Sequence, residues 1–322
     1  MKPYNSSTSS FKKQVLRIIL TYTICIGTFL YLIDVFFTEV IIFNNNISNA
    51  HKINRLIANE NPEEIPIFGS SKAYRDYFPD SLGVNFYNYG MDAASMEVVN
   101  LLLSFEVEKD KTTPIIIDFH PGMFSHNPYT NVNLKYYIPL IEHDQVEQFL
   151  KDNEVYKSYH QIFGMRYYGY YYDYIIEYFS QHYQTRKLYA KGGSFEINIT
   201  PRKKLKKLLE KRLHAIPSFE HNKKLANKLE EMIQAHTERT FLFVESPFHG
   251  AVYSKLENYE GMDKYLQHLA KYDNVEVLRF DGRKYEDDHF QDGGHMNLNG
   301  AKLFSSDLKN KLNDLGIFTK NI

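Results

Sequence analysis

Two neighbouring serines follow a short apolar run in "IPIFGSSKAYRDYFP", residues 65–79. Gly69, Ser70 and Ser71 are ordinary turn residues, so a turn alone would account for them. A serine hydroxyl is a weak nucleophile near neutral pH and becomes reactive when a general base lies beside it. The first question is therefore whether the chain supplies a base for one of these serines.

The other end of the chain offers such a base, in "DDHFQDGGHMNLNGAKLF". Asp292 and His295 are three residues apart, just before a helix predicted to begin near Leu298, and this spacing puts both side chains on one side of a turn. A carboxylate bonded to one imidazole nitrogen fixes the tautomer, which leaves the other nitrogen to accept a proton from a serine. The order Ser, Asp, His occurs in serine hydrolases on α/β folds. The residues thus predict a serine–histidine–aspartate site.

Length and composition exclude several classes of protein. The chain has 322 residues, of which 43% are apolar, enough for one large globular domain or two small ones. A formal net charge of −1 gives no global field that would favour nucleic acid. The single cysteine, Cys25, excludes an intrachain disulfide framework and a cysteine-based zinc site.

The N-terminal segment predicts a membrane anchor. Residues 1–17 are polar and basic, residues 18–33 carry no charge, and apolar residues continue to Phe43. Because positive charge lies only on the N-terminal flank, we expect that flank in the cytoplasm and the rest of the chain outside it. The predicted divisions are a cytoplasmic N-terminus (1–17), a single transmembrane anchor (18–43) and a linker (44–64).

A cleaved signal peptide is the alternative to the anchor. "ISNA", which ends at Ala50, is an acceptable small-residue cleavage site. The apolar stretch is longer than a usual signal-peptide core, which favours an uncleaved anchor.

From residue 65 to residue 322, strand-like runs alternate with helical patterns. The strand-like runs are "IPIFG", "GVNFYNYG", "TPIIIDFH", "RTFLFVES" and "NVEVLRFDG". Apolar residues at three- and four-residue spacing mark helices, for example in "MEVVNLLLSFEVEK" and "KKLANKLEEMIQAH". This alternation predicts an α/β domain with about five parallel strands covered on both faces. Active groups in such domains lie beyond the carboxyl ends of strands, where Ser70 and Ser71 stand.

A segment from about 124 to 240 interrupts the alternation and is predicted to be a large, mostly helical insertion. Tyrosines in "YHQIFGMRYYGYYYDYIIEYF" recur too densely for one helix face. They predict either an aromatic core, a cap that stacks on sugar rings, or a surface against membrane headgroups. "PRKKLKKLLEKRL", residues 201–213, is a basic amphipathic helix, which is typical of a solvated face or of a surface for an anionic membrane or polymer.

The motifs resemble those of the SGNH, or GDSL-like, hydrolase superfamily, in its membrane-anchored branch of DltD-like and alginate-acetylation-like proteins. "FGSS" is similar to the first block of that family, which implies Ser71 as the nucleophile. "DGGHMNLNGA" is similar to the last block, which implies Asp292 and His295 as its partners. "NFYNYGMDAAS" resembles the second block and implies that Gly90 and Ser71 supply backbone N–H groups to an oxyanion. The resemblance also implies a three-layer, flavodoxin-like domain.

One block of the family is missing. The asparagine that usually completes the oxyanion hole has no counterpart in "IIIDFHPGMF", where His120 stands and could supply a donor instead. The predicted substrate-lining residues are Ser70, Asn88, His120, Glu245, His249 and Asn297.

A metal site is an alternative use of these strand ends. Asp118, His120, His126 and His249 carry oxygen and nitrogen ligands that suit zinc or manganese. The serine and its two partners already account for the chemistry, so neither a metal nor a cofactor is expected.

The resemblance implies an extracytoplasmic O-acyltransferase, for acetyl groups above all, or an esterase that acts on a cell-surface polysaccharide. An acyl donor would load the serine, and a membrane-bound O-acyltransferase of the MBOAT type is the implied partner. The rival hypothesis is a non-catalytic glycan-binding or assembly module on the same fold. The sequence does not separate transfer from hydrolysis.

Overall fold

A computed structural model describes residues 7–124, 133–181, 183, 186–214, 218–256 and 259–317. The described residues form two compact units, which we name for their main feature. The anchor unit lies within Met1–Ala50 and Leu134–Ser180, and the sheet unit lies within His51–Asn133 and Gln181–Ile322.

The elements are named in chain order. The strands are β1 (Ile65–Phe68), β2 (Phe86–Asn88), β3 (Ile115–Asp118), β4 (Lys187–Ala190), β5 (Gly193–Glu196), β6 (Phe241–Glu245) and β7 (Val275–Arg279). The α-helices are α1 (Ser7–Phe36), α2 (Asn49–Ala58), α3 (Ser71–Asp76), α4 (Pro79–Leu82), α5 (Met96–Val107), α6 (Asp144–Asp152), α7 (Tyr171–Ser180), α8 (Arg202–Leu213), α9 (Lys223–Ala235), α10 (Gly250–Tyr253), α11 (Tyr259–Leu269) and α12 (Leu298–Asp314).

The anchor unit is built on the N-terminal helix. Helix α1 continues as a π-helical segment over Phe37–Phe43. The stretch Phe11–Phe43 contains 33 residues and is long and apolar enough to cross a membrane. This agrees with the predicted anchor in length and composition. The unit also contains α6 and α7.

The sheet unit contains a parallel five-stranded sheet in the order β2-β1-β3-β6-β7. One row across the sheet joins Asn88, Ile67, Ile116, Leu242 and Glu276. The five predicted strands and the α/β class are therefore confirmed. All five run in one direction, so their carboxyl ends share one edge of the sheet.

Helices cover the two faces of this sheet. On one face, Ile67, Ile116 and Leu242 belong to the same buried cluster as Phe304 and Leu308 of α12. The opposite face is covered in part by α5, which packs against β1 and α9. Burial on both faces explains why β1, β3 and β6 are nearly continuous apolar runs.

The segment predicted as a mostly helical insertion also contains a hairpin. Strands β4 and β5 are antiparallel, and they are joined by Lys191 and Gly192, both at positive φ. Two positive φ angles are the signature of a tight type I′ hairpin turn. The prediction missed this hairpin because its strands, "KLYA" and "GSFE", are not continuous apolar runs, and β4 is largely unburied.

Candidate active site

The predicted nucleophile stands on a turn that only glycine fits. Ser71 is the first residue of α3, immediately beyond the carboxyl end of β1. Gly69, which makes the turn, has a φ of +151°, and a Cβ there would lie 2.7 Å from Ala73 Cβ and 2.9 Å from Asp118 Cβ. The absence of a side chain therefore lets α3 start directly against the strand ends.

The loop after β2 approaches the same helix equally closely. A Cβ on Gly90 would lie 2.4 Å from the backbone nitrogen of Tyr74 and 2.7 Å from Ala73 Cβ. Real Cβ atoms do not reach such distances, so Gly90 is required for the backbone to pass the first turn of α3.

The three predicted catalytic side chains form a continuous hydrogen-bonded relay. Ser71 Oγ lies 2.8 Å from His295 Nε2. His295 Nδ1 lies 3.0 Å from Asp292 Oδ2 and 3.1 Å from its Oδ1. A carboxylate can only accept, so Nδ1 carries the proton and Nε2 offers its lone pair to the Ser71 hydroxyl.

Asp292 is kept ionised for this role. Burial raises the pKa of its carboxyl, but the hydrogen bond and charge of His295 and the N–H groups of Gly294 (2.7 Å) and His295 (3.0 Å) outweigh burial. The pKa of Asp292 is therefore held well below its usual range. The negative charge fixes the imidazole and stabilises its protonated form.

Ser70 forms a second serine–histidine pair, with the opposite tautomer. Ser70 Oγ lies 2.7 Å from His120 Nε2, and His120 Nδ1 accepts a hydrogen bond from the N–H of Gly122 (3.2 Å). Burial and the positive charges of Lys72 and Arg212 lower the pKa of His120 well below its usual value, so the ring is neutral. Its one proton therefore sits on Nε2 and is donated to Ser70, which excludes His120 as a base for that serine. This geometry favours Ser71 as the nucleophile.

A buried lysine next to the nucleophile was missed by sequence reasoning. Lys72 is 2% exposed. Its ammonium donates to Asp76 Oδ2 (2.9 Å) and to the carbonyls of Pro247 (2.9 Å) and Gly294 (2.8 Å). The three acceptors match the three N–H donors, and the ammonium also lies 4.1 Å from the centre of the Phe248 ring.

Asp76, the ion-pair partner of Lys72, helps to connect the helix that carries Ser71 to the segment that carries His295. Asp76 is fully buried, and its Oδ2 accepts from Lys72 and from the Ser246 hydroxyl (3.2 Å). Its Oδ1 accepts from the backbone N–H of Met296 (2.8 Å). The pair thus binds the residues on both sides of His295 to the helix that carries Ser71. The four-residue spacing of Lys72 and Asp76 in "SSKAYRD" was the available signal.

The two predicted oxyanion donors, the backbone N–H groups of Ser71 and Gly90, differ in whether they already donate a hydrogen bond. The N–H of Ser71 lies in the first turn of α3 and has no hydrogen-bond partner among the residues the structure describes. The N–H of Gly90, in contrast, donates to Asn88 Oδ1 at 2.9 Å. An oxyanion would have to compete with Asn88 for that donor, so Ser71 is the donor that this conformation leaves open.

Two predicted substrate-lining asparagines have structural roles instead. Asn88 is fully buried, and its amide donates to the carbonyls of Ala73 (2.7 Å) and Tyr77 (3.0 Å). Asn297 is also buried and caps α12, where its Oδ1 accepts from the N–H groups of the first helical turn. Buried polar groups with these bonds hold backbone in place and present nothing to a substrate.

Glu245 and His249 likewise face protein groups. Glu245 is buried and accepts from the Tyr259 hydroxyl (2.6 Å), and burial raises the pKa of its carboxyl to about 7. His249 Nε2 lies 3.0 Å from Asp287 Oδ1, while its backbone N–H donates to the carbonyl of Gly293 (3.2 Å). His249 therefore supports the loop that contains Asp292 and is not placed as a substrate-lining residue.

The side chains considered for a metal are engaged elsewhere. Asp118 is buried and accepts from the Tyr77 hydroxyl (2.8 Å), while His120 and His249 form the bonds given above. His126 lies outside the described residues. Within the described ranges, the structure has no group of three or more histidine, cysteine or acidic side chains that could hold a metal ion.

The buried carboxyl of Asp118 predicts a pH-dependent stability. Burial raises its pKa from 3.8 to about 6. Between these values the folded protein keeps a proton that the unfolded chain has released, so the free energy of unfolding falls as pH rises through this window. Asp118→Asn keeps the acceptor for Tyr77 and removes the charge. We expect this variant to exceed the wild type in unfolding free energy at pH 8 by at most about 3 kcal/mol, and to equal it near pH 4.

Denaturant unfolding of the full-length protein in detergent at both pH values measures this difference. Asp314→Asn, at an exposed position in α12, is the matched control and should change the free energy of unfolding by no more than about 0.5 kcal/mol at either pH. A difference for Asp118→Asn that does not depend on pH would contradict the raised pKa.

Arg212 is the other residue that sequence reasoning did not place at the site. It lies on α8 over the turn before His295, where a Cβ on Gly294 would be 3.4 Å from Arg212 Nη2. Its charge also acts on His120 and Asp292. Arg212 Nε is buried without an acceptor, and Arg212 forms no hydrogen bond or ion pair with any residue in the described part of the chain. The basic pattern of residues 201–213 had indicated only a charged helix.

No protein-family model matches the chain, and no curated protein matches it significantly in sequence.

Proposed function

We propose that this chain is a membrane-anchored serine acyltransferase or esterase of the SGNH type, acting outside the cytoplasm on a cell-surface polysaccharide. The observation that carries the proposal is the relay Ser71–His295–Asp292, with distances of 2.8 and 3.0 Å and a tautomer suited to proton removal from Ser71.

The proposed reaction has two steps, acylation of Ser71 and transfer of the acyl group to an acceptor. His295 Nε2 takes the hydroxyl proton while Ser71 Oγ bonds to the ester carbonyl carbon, and the leaving oxygen departs with the proton from His295. An acceptor hydroxyl then loses its proton to His295 and bonds to the acyl carbon, and Ser71 Oγ leaves with that proton from His295. Water as the acceptor gives an esterase, and a sugar hydroxyl gives a transferase. The N–H of Ser71 stabilises the oxyanion in both steps.

The finer classification rests on the fold and the resemblance together. The five main strands, renumbered among themselves, have the order 2-1-3-4-5, which is that of flavodoxin-like domains. Ser71 follows the first of these strands, as the nucleophile of the SGNH family does. A membrane anchor with basic residues on its N-terminal flank favours an external catalytic domain, and a membrane-bound O-acyltransferase of the MBOAT type is the proposed donor partner.

Arg212 favours a substrate with an anionic group near the reacting ester. Arg212 is only half-buried although its Nε is covered, so the remaining N–H groups of the guanidinium can bind a carboxylate or phosphate oxygen of a substrate. The guanidinium adjoins the turn that holds Asp292 and His295, so such a group would sit beside the relay. Anionic surface polymers are therefore the proposed acceptors.

Arg212→Gln should separate binding from chemistry. We expect KM for an anionic polymer to rise about 10- to 100-fold, because a hydrogen bond to a charged group contributes about 1.5–3 kcal/mol. Acylation by p-nitrophenyl acetate, which is neutral, should stay within about threefold of the wild type. Arg202→Gln, an exposed position on the same helix, is the control. Equal effects of the two substitutions on KM would contradict the role of Arg212.

The proposed function is tested by trapping the acyl-enzyme. Full-length protein in detergent is incubated with p-nitrophenyl acetate, or with a fluorophosphonate that reacts with activated serines whatever their acyl specificity, and intact mass is measured. An adduct located on Ser71 by peptide mapping is the expected result. Absence of both adducts from folded protein would contradict a catalytic role and would favour the glycan-binding or assembly module.

A further inference from the structure

Helix α7 of the anchor unit has an apolar face that the described residues leave in large part exposed. Tyr172, Ile175, Ile176 and Phe179 are 73%, 40%, 49% and 57% exposed. Ile175 and Ile176 are adjacent, and each of them lies three or four positions from both Tyr172 and Phe179. This spacing puts all four side chains on one face of the helix. Surface helices of soluble proteins usually expose charged and polar side chains, so a continuous apolar face exposed to water would be unusual.

The opposite side of α7 is also apolar and packs inward. Tyr174 is 2% exposed and forms a T-shaped contact with Phe37, at 5.9 Å between ring centres. Phe37 lies in the helical stretch that is long enough to cross a membrane, and Tyr171 contacts the same ring at 4.9 Å. Polar residues occupy only a narrow stripe of α7, with Asp173, Glu177 and Ser180 at four- and three-residue spacing. Helix α7 is thus fixed to the N-terminal helix with its second apolar face outward.

The loop before α7 packs against Leu30 and Tyr31, which lie within the apolar stretch of the N-terminal helix. The Phe163 ring forms a T-shaped contact with Tyr31, at 5.1 Å between ring centres. A Cβ on Gly164 would lie 2.9 Å from Leu30 Cδ2, so the loop backbone touches the helix directly. Phe163 and Met165 are themselves 41% and 49% exposed. If Leu30 and Tyr31 lie within a bilayer, the loop that touches them lies within it as well.

A buried ion pair secures this arrangement. Asp34, the first charged residue after the uncharged stretch, lies 3.2 Å from Arg166 Nε, and the N–H of Gly164 donates to Asp34 Oδ1 at 3.0 Å. Arg166 also lies 3.1 Å from Glu142. A carboxylate near the end of a membrane span is costly unless it is paired, and here the loop before α7 supplies both of its partners.

We propose that residues 162–179 form a second membrane-embedded segment, in which the loop and the exposed face of α7 lie in the outer part of the lipid bilayer beside the N-terminal helix. Lipid is the occupant because this face continues the apolar surface of a helix of membrane-spanning length. Tyrosines such as Tyr168 and Tyr172 suit the boundary between headgroups and acyl chains, and a helix of this type lies about 5–10 Å into it.

The chain contains no tryptophan, so single-tryptophan variants report membrane depth without background. Phe179→Trp and Ile176→Trp probe the exposed face of α7. Phe29→Trp is the control within the N-terminal helix, and Val84→Trp, 86% exposed in the sheet unit, is the control in water. Each full-length variant is reconstituted into phosphatidylcholine liposomes with either ordinary or brominated acyl chains, because bromine quenches only tryptophans that it touches.

We expect brominated lipid to quench Phe179→Trp at least about half as strongly as it quenches Phe29→Trp. Quenching of Phe179→Trp should be stronger when bromine lies near the headgroup end of the acyl chain than when it lies near the methyl end. Val84→Trp should be unaffected. Ile176→Trp provides the same measurement if Phe179→Trp does not fold. Emission from both α7 probes that matches Val84→Trp would overturn the proposal and would leave this face to a protein or glycan partner.

Discussion

Replacing Ser71 with alanine is expected to lower turnover of an ester substrate by at least about 10⁴-fold, because members of a serine–histidine–aspartate relay act as a unit. The hydroxyl that lies 2.8 Å from His295 Nε2 is the only group in this relay that can form the acyl bond. The acetyl adduct should disappear together with turnover. Initial rates with p-nitrophenyl acetate and intact mass of the same sample measure both effects.

Ser70→Ala is the matched control for Ser71→Ala. Ser70 caps α3 and accepts a hydrogen bond from His120 Nε2, so its loss removes hydrogen bonds but no nucleophile. A drop of about tenfold is expected, which corresponds to one hydrogen bond of about 1.4 kcal/mol. If Ser70→Ala abolished the adduct while Ser71→Ala kept it, the tautomer of His120 would have to be reversed and the nucleophile would be Ser70.

The second large effect concerns stability. Lys72→Met should lower the free energy of unfolding by about 3–5 kcal/mol, because it leaves the carboxylate of Asp76 buried without its cation. The same substitution also releases the carbonyls of Pro247 and Gly294. Denaturant unfolding of the full-length protein at neutral pH measures the loss.

Lys264→Met provides the comparison on α11. Lys264 pairs with Glu260 at 2.7 Å with the same four-residue separation, but both side chains are exposed. Exposed pairs contribute about 0–1 kcal/mol, so this variant should be nearly neutral. A loss for Lys72→Met no larger than for Lys264→Met would show that Lys72 is dispensable, and the proposed link between α3 and the loop around His295 would then be wrong.

The elements that could be predicted are those whose signals are local. The main strands β1, β3 and β6 are buried on both faces and therefore appear as short apolar runs, as in "IPIF" before Gly69. Asp292 and His295 could be paired because they stand three positions apart, and both lie just before a helix that begins at Leu298. Parallel topology then placed Ser71 at an edge where active groups gather.

What could not be predicted depends on contacts between distant parts of the chain. Lys72 looks like a surface residue of a short helix, and only the fold brings the carbonyl of Gly294 to its ammonium. The hydrogen bond from the N–H of Gly90 to Asn88 Oδ1 could not be predicted either, because it depends on the rotamer of the Asn88 side chain. Arg212 could be read only as one charge among many on α8. Long-range geometry decides each of these roles.

The separation of Ser71 and His295 has a consequence for biosynthesis. They are 224 residues apart, so Ser71 is translated long before its base. Contacts of such high sequence separation form late in folding, because a long loop must close first. A nascent chain, or one truncated before His295, would therefore carry an unactivated serine, and reactivity would begin only when the segment that carries His295 has docked. Deletion from Gln291 onward should give a protein with no reaction towards fluorophosphonates, whatever remains folded.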